Sequence, residues 1–380
     1  MYATRSETRS IEELTSGTYV EDGDVMVAKI TPCFENGKQG ILRIGSSFAY
    51  ATTEVIPLRG KHTKSDTLFV HFVLLHPGLR AKLASQMEGS TNRQRLPKQV
   101  VEKALVPVPP LEEQRQIAAV LSAVQRAIEQ QERLIALTIE FKKALMHRLF
   151  TEGIRGEPPQ ETEIGLIPAS WTLTYVGDLG RCITGTTPST KVEEFYLNPS
   201  HCFISPADLG RTKYIANSQK QVSQAGLRTA RVLPRDSVLC VCIGSSIGKI
   251  GMTWHEESCT NQQINSIDVR PPNNPHFVFY LLAFWSNHWR SHATFGPVPI
   301  LSKGAFEKVR IPFTQDTDVQ GKIAETLSAV DAKIELHMRY RESLAALFRT
   351  LLHQLMTAQV RVHDLDLSAL EEPAQHAGAV

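Results

Sequence analysis

Ile117-Ala118-x-x-Leu121-Ser122-Ala123-Val124-x-x-x-Ile128 returns 206 residues later as Ile323-Ala324-x-x-Leu327-Ser328-Ala329-Val330-x-x-x-Ile334, ungapped to the pair Leu149 and Leu355. Apolar residues step by four and three in both copies, the spacing of one face of an α-helix. The first helix is predicted from about Leu111 to Phe150. Pro109 and Pro110 halt the preceding structure, and Glu112 and Glu113 suit the positive end of the helix dipole. The second is predicted from about Val319 to Met356, with Thr317-x-x-Gln320 as a capping box. The packing seam is Ile117, Leu121, Val124 and Ile128 in one copy and Ile323, Leu327, Val330 and Ile334 in the other. Gln131, Thr138 and Lys142 interrupt the first copy, and His337 and Arg341 the second. Leu134, Leu137 and Phe141 run on a neighbouring stripe. Helices of roughly 40 residues are ~60 Å long. Neither can bury such a stripe alone, so an antiparallel coiled coil is expected. The competing arrangement seats each helix on its own module.

Each helix follows a stretch with the patterning of a mixed α/β module. Asp24 to Ile30 reads as a strand stopped by Pro32, Asn36-Gly37 as a turn, and Phe69 to Leu75 as an apolar run of helical or strand type. The duplication reaches these modules. Tyr2 aligns with Tyr214, Val25-Met26 with Val238-Leu239, Gly37-Lys38 with Gly248-Lys249, Phe69-Val70 with Phe277-Val278, and Leu96-x-Lys98 with Leu301-x-Lys303. The offsets drift slowly and never break order, so the chain reads as a tandem repeat. The counterpart of Gly165–Lys213, 49 residues, is not found before Tyr2. The first module is therefore read as N-terminally shortened. The expected organisation is an α+β chain: module 1–107, helix 108–150, linker 151–164, module 165–312, helix 313–357 and a disordered tail 358–380.

The net charge of +2 divides unevenly, as +3 over residues 1–107, −2 over 108–164, +5 over 165–312 and −4 over 313–380. Basic modules suit a polyanion and acidic helices do not. The longest apolar run, Phe277 to Trp285, is far short of a membrane span. No signal-peptide pattern opens the sequence. The six cysteines form no Cys-x-x-Cys pair and are expected to be reduced, mostly buried thiols in a cytoplasmic protein, with no metal site.

Gly244-Ser245-Ser246-Ile247-Gly248 matches the Gly-x-Ser-x-Gly pattern of a serine hydrolase. That motif needs a helix straight after the serine, and Lys249 to Thr253 reads as strand. The same stretch falls one residue short of a phosphate loop and lacks its Ser/Thr. A Gly-rich turn between strands is the plainer reading, and no catalytic residue is assigned. Side chains suited to base edges are Asn92, Arg93, Gln94, Arg95, Asn261, Gln262 and Gln263. Lys38, Lys213, Arg228, Arg231 and Lys249 are candidates for phosphate contacts.

Ile167-Pro168-x-x-Trp171, Gly185-Thr186-Thr187-Pro188-Ser189, Cys242-Ile243-Gly244-x-x-Ile247-Gly248-Lys249, Thr260-Asn261-Gln262-Gln263 and Pro109-Pro110-Leu111-Glu112-Glu113-Gln114 together resemble the specificity (S) subunit of type I restriction–modification systems. The resemblance covers nearly all of residues 2–357. It implies two target-recognition domains, each reading half of a split site in double-stranded DNA. It implies that the helices set the spacer and dock two methylation subunits, with restriction subunits able to join. The S subunit has no catalysis or cofactor of its own, S-adenosylmethionine being expected on the methylation subunit. The chain departs from the pattern in the first domain, which lacks the Pro-x-x-Trp and Gly-x-Thr-Pro-Ser equivalents. A scaffold that binds methylation subunits without complete site recognition is the alternative, and a serine hydrolase using Ser246 a remote one.

Overall fold

The computed structural model describes residues 16–90, 93–294 and 296–365. The chain divides into two compact units, Met1–Arg133 with Met338–Val380, and Leu134–His337. The division falls within the long helices, Leu111–Thr151 and Thr317–Met356, rather than at their ends. Each half-helix carries the apolar residues that complete the core of the unit it belongs to.

In the first unit the strands are β1 (Thr18–Glu21), β2 (Val25–Ala28), β3 (Gln39–Ile41), β4 (Phe48–Ala51) and β5 (Val55–Leu58). β1 pairs antiparallel with β4, and β2 is the centre of a sheet ordered β3-β2-β5. Helices α1 (Thr67–Leu75), α2 (Pro77–Ala84) and α3 (Lys98–Glu102) follow. The run Phe69 to Leu75 is thus helical, fixed by Asp66, whose carboxylate accepts the Phe69 N–H at 2.9 Å. Val25, Val27, Phe34, Ile56 and Leu83 fill one core. A second core joins Phe69 and Phe72 of α1 to Ile117, Ala118 and Leu121 of the first long helix, α4 (Leu111–Thr151), and to Leu352, Leu355 and Met356 of the second. The start of one helix therefore lies beside the end of the other, antiparallel. Both arrangements considered for the helices hold at once, since each half-helix packs on a module and on the other helix.

In β2 the hydrogen bonds alternate. Leu42 N–H donates to Asp24 O and Ala28 N–H to Lys38 O, towards β3, whereas Lys29 N–H donates to Glu54 O on the β5 side. Met26 thus faces β3, and Pro57 opposite it turns its nitrogen away from β2. Among the described residues β5 has no further neighbour.

His71 is buried beside Arg80. Burial, helped by the Arg80 charge, pulls its imidazole down to about 4, and Gln39 Nε2 bonds both its carbonyl at 2.6 Å and its Nδ1 at 3.2 Å. The folded state keeps this ring neutral while the unfolded chain protonates it below about 6.5. Stability from this group is present above pH ~6.5 and is lost as pH falls towards 4, by about 3 kcal/mol in full. Urea melts at pH 7 and 4.5 should show this loss, and His71→Gln should flatten it. An unchanged slope in the variant would refute the assignment.

The second unit opens on a hairpin, β6 (Pro159–Thr162) with β7 (Gly165–Pro168). The expected linker is therefore partly ordered, and Gln160 Nε2 anchors it to Trp171 O at 2.9 Å. Next come β8 (Thr172–Tyr175), β9 (Gly180–Thr184), β10 (His201–Ile204), β11 (Tyr214–Ile215), β12 (Lys220–Val222), α5 (Gln224–Thr229), β13 (Val238–Val241), β14 (Ile250–Thr253), β15 (Cys259–Thr260) and β16 (Ile264–Val269). α6 (Pro275–Phe284), α7 (Ser286–Arg290), α8 (Lys303–Glu307), β17 (Arg310–Phe313) and α9 (Thr317–Met356) complete it. The main sheet is ordered β11-β14-β13-β16-β9, beside a smaller β12-β10-β15 sheet and a β17-β8 pair. Trp171, Phe277, Phe306, Ile311, Ile323 and Leu327 share one core with Leu149 and Phe150.

The duplication extends to single hydrogen bonds. Lys29 N to Glu54 O, Thr31 N to Gln94 O and Leu96 N to Lys29 O recur as Cys242 N to Gln263 O, Gly244 N to Pro299 O and Leu301 N to Cys242 O. Gln114 and Gln320, both fully buried, recur as a lock. Gln114 Oε1 accepts the N–H of Asp66, and Gln320 Oε1 that of Asn274, at 3.0 and 2.8 Å. Each acceptor thus satisfies the cap residue of a module helix and ties it to a long helix.

Two local expectations change. α9 is capped by Asp316, whose Oδ1 accepts from the N–H groups of Asp318 and Val319. Thr317 is already helical, and Gln320 is spent on Asn274 and Thr314. The tail expected to be disordered from residue 358 is packed as far as Leu365, because Val360, Val362 and Leu365 close on the first unit's helix core. Residues 366–380 lie outside the described residues, as does Tyr2.

Candidate nucleic-acid interface

The second unit gathers its polar loops at one end of the main sheet. β9 runs out at Thr184 where β16 begins, β13 ends at Val241 opposite Ile264, and β15 ends at Thr260 beside the end of β10 at Ile204. Antiparallel pairing brings strand exits and entrances together, so residues 184–188, 242–249 and 260–263 share this edge. Gly185 permits the closest approach. A Cβ there would stand 2.2 Å from Asn261 O and 2.4 Å from Thr260 O.

Within this cluster Thr187 Oγ1 donates to Gln262 Oε1 at 2.7 Å. Asn261 Nδ2 donates to Gln263 Oε1 at 2.8 Å, and Gln263 N–H returns to Asn261 Oδ1 at 3.1 Å. Arg231 Nη1 donates to Thr184 O at 2.7 Å, while its N–H meets Thr186 Oγ1 at 3.2 Å. Gln262 and Arg231 are exposed, and Asn261 and Gln263 half-buried. The arrangement presents amide and guanidinium donors on a fixed backbone frame, which is what reading base edges requires. Lys249 ends the neighbouring turn, exposed, its Nζ 3.3 Å from Pro206 O. Arg228 is exposed on α5. Sequence reasoning did not single out Thr184, Thr186 and Thr187 as the frame for these groups, although the Gly185-Thr186-Thr187 motif marked the place.

Lys213 does not belong to this edge. Its Nζ donates to Ser328 Oγ at 3.0 Å and to Tyr280 OH at 3.3 Å, and lies 4.6 Å from the Tyr280 ring centre. Burial lowers its ammonium to about 8 against the opposing pull of Asp331. Lys213 is thus engaged between a module and α9 and is not presented at this edge.

In the first unit Lys38 occupies the turn equivalent to that of Lys249 and is exposed. Arg93, Gln94 and Arg95 lie on the segment crossing the β2–β3 turn. Arg95 is engaged with Glu54, Nε to Oε2 at 3.0 Å and Nη2 to Oε1 at 2.8 Å. The bond to Arg95 holds the Glu54 carboxyl below its usual range. Glu54 stands where the second unit has Gln263. Asn92 lies outside the described residues. A groove of ≈890 Å³ beside Arg95 is also lined by Tyr19, Lys29, Val55 and Lys98.

Ser246 sits in the turn Gly244–Gly248, and strand β14 follows it, so the hydrolase geometry is not met. Cys182, Cys202, Cys240, Cys242 and Cys259 are buried free thiols. Burial pushes Cys182, Cys242 and Cys259 up to about 12, which keeps them unreactive. Among the described residues no cluster suited to a metal ion is found, and no helix is long and apolar enough to cross a membrane.

Of the seam residues, Ile117, Leu121, Ile323 and Leu327 are buried, and Val124, Ile128, Val330 and Ile334 half-buried. Two repeated α/β modules, each built onto the start of one long helix and the end of the other, define a duplicated, helix-linked recognition protein. The chain belongs to the type I restriction modification DNA specificity domain family, whose model matches residues 2–138 and 168–346. It is a specificity subunit, not an enzyme. It is 24% identical over 340 residues to the type I restriction enzyme MjaVIII specificity subunit of Methanocaldococcus jannaschii, covering 87% of this chain and 76% of that protein. It is 31% identical over 136 residues to the EcoAI specificity subunit of Escherichia coli, covering 35% of this chain and 23% of that one. The fold is similar to a solved type I restriction-modification S subunit from M. genitalium, with a TM-score of 0.58 at 15% identity over 90% of this chain and 84% of that one.

Proposed function

We propose that this chain is the DNA-specificity subunit of a cytoplasmic type I restriction–modification complex, in which each module reads one half of a bipartite target. The two long helices set the distance between half-sites and dock two methylation subunits, which carry S-adenosylmethionine, and restriction subunits join that assembly. The observation that carries the reading is the repeat itself. It reproduces backbone hydrogen bonds at the strand ends of both modules while changing the side chains there, Gln263 for Glu54. A shared frame with divergent tips is what two half-sites of different sequence demand. The basic balance of both module stretches supports it.

The test is base-resolved methylation sequencing of DNA modified by the chain complexed with its methylation subunits. A split motif is expected. Arg231→Ala with Gln262→Ala should relax one half-site only, each lost base contact costing about 1–3 kcal/mol, or ~10–100-fold in discrimination. A contiguous motif, or a change in both half-sites, would defeat the reading.

A further inference from the structure

The apolar seam cannot by itself distinguish the two halves of this chain. Ile117, Leu121, Leu145 and Leu149 recur as Ile323, Leu327, Leu351 and Leu355. The end of α4 therefore offers the start of α4 in a second copy nearly the surface it offers the start of α9. Duplicated helices of this kind need something else to choose between partners.

One cluster breaks the equivalence. In the second unit Lys142 Nζ on α4 donates to Asp331 Oδ1 on α9 at 2.6 Å. The Tyr280 hydroxyl on α6 donates to Asp331 Oδ2 at 2.7 Å. The Lys142 ammonium lies 5.2 Å from the Tyr280 ring centre, and Lys213 bonds Ser328 from the other side. Both side chains of the ion pair are 22% exposed, so the pair is largely withdrawn from water. In the first unit the repeat puts Phe348 at the place of Lys142, Gln125 at that of Asp331, Phe72 at that of Tyr280 and Ser122 at that of Ser328. There Phe348 packs on Phe72 with ring centres 6.0 Å apart, and Gln125 Nε2 bonds Glu129 at 3.3 Å. The same crossing is ionic in one unit and aromatic in the other.

We propose that the Lys142–Asp331–Tyr280 cluster and the Phe348–Phe72 contact form a pairing code that keeps each helix end on its own chain and rejects a second copy. Two α4 helices paired start to end would set Lys142 against Phe72 and Gln125, losing Asp331 and the Tyr280 hydroxyl and leaving only the Glu129 carboxylate that Gln125 already bonds. Two α9 helices so paired would set Phe348 over Tyr280 and take the Lys142 ammonium from Asp331. An ion withdrawn from water without its partner is costly, and the mismatch arises at both wrong pairings. The code specifies partner choice, a role the identical seam residues cannot fill.

The experiment uses the full chain carrying either of two affinity tags. Both tagged forms are unfolded and refolded together, and capture through one tag is followed by quantifying the other. The wild type should yield little mixed species. Lys142→Phe with Asp331→Gln gives the second unit the first unit's chemistry and should raise mixed species roughly tenfold, towards the value for random pairing. Phe348→Lys with Gln125→Asp gives the first unit an ion pair, removes nothing from the second, and should raise it likewise. If the first variant does not refold, the second decides alone. A variant with the wild-type circular dichroism that mixes no more than the wild type overturns the proposal, as would a wild type that already mixes freely.

Discussion

Inserting four residues into each long helix, after Arg133 in α4 and after His337 in α9, is expected to widen the gap between half-sites by about two base pairs. The arithmetic is simple. Four helical residues add ~6 Å and slightly more than one full turn, and DNA rises about 3.4 Å per base pair. The insertion points are the places where the chain passes between its two units. The Lys142–Asp331 pair, the Gln114 and Gln320 locks and both strand-end clusters lie within single units and stay intact. Each half-site should therefore read as before. Methylation sequencing would report both quantities at once. A spacer that does not move, or a half-site that does, would refute the division of labour between helices and modules.

The second large effect concerns the outer face of the helices. Leu134, Leu137 and Phe141, on the stripe beside the interrupted seam, are exposed, Phe141 by 58%. The repeat positions of Leu134 and Phe141 are Tyr340 and Leu347, also exposed, Leu347 by 45%. Apolar residues exposed at equivalent places on two repeated helices suit two copies of one partner. Phe141→Asp is expected to release one methylation subunit and Leu347→Asp the other. Each buried side chain of this size contributes about 1.5–3 kcal/mol, so each variant should weaken its own contact ~10–100-fold and the double variant should leave neither subunit bound. Native mass spectrometry of the assembled complex reads the stoichiometry directly. Full occupancy by two methylation subunits in the folded double variant would rule out this face.

The helices were legible because their pattern is periodic and occurs twice. Two noisy copies of one signal fix ends and offset better than either alone, and the observed bounds, Leu111–Thr151 and Thr317–Met356, differ from those expected by at most two residues. The strand-end cluster was legible in part. Asn261-Gln262-Gln263 stands out as a polar run, whereas its support from Thr187 and Arg231 depends on β9 pairing with β16, a contact across some 80 positions. Lys213 and Arg95 show the limit of reading charge from sequence. Each is a cation whose partner, Ser328 with Tyr280 in one case and Glu54 in the other, is chosen by the fold. The roles of Gln114 and Gln320 were illegible, since a buried amide serving a cap residue leaves no local trace in the sequence. The division into units was illegible for a related reason. A helix looks continuous in sequence even when its two halves complete different cores.

Pro57 has a consequence for solubility. It stands in register with Ser266, whose partner in β9 is Ile183. At that position the first module offers an incoming strand a ring nitrogen instead of a donor. A foreign chain aligning along β5 would forfeit a rung in the middle of its ladder, so this margin, unpaired among the described residues, acts as a poor template for aggregation.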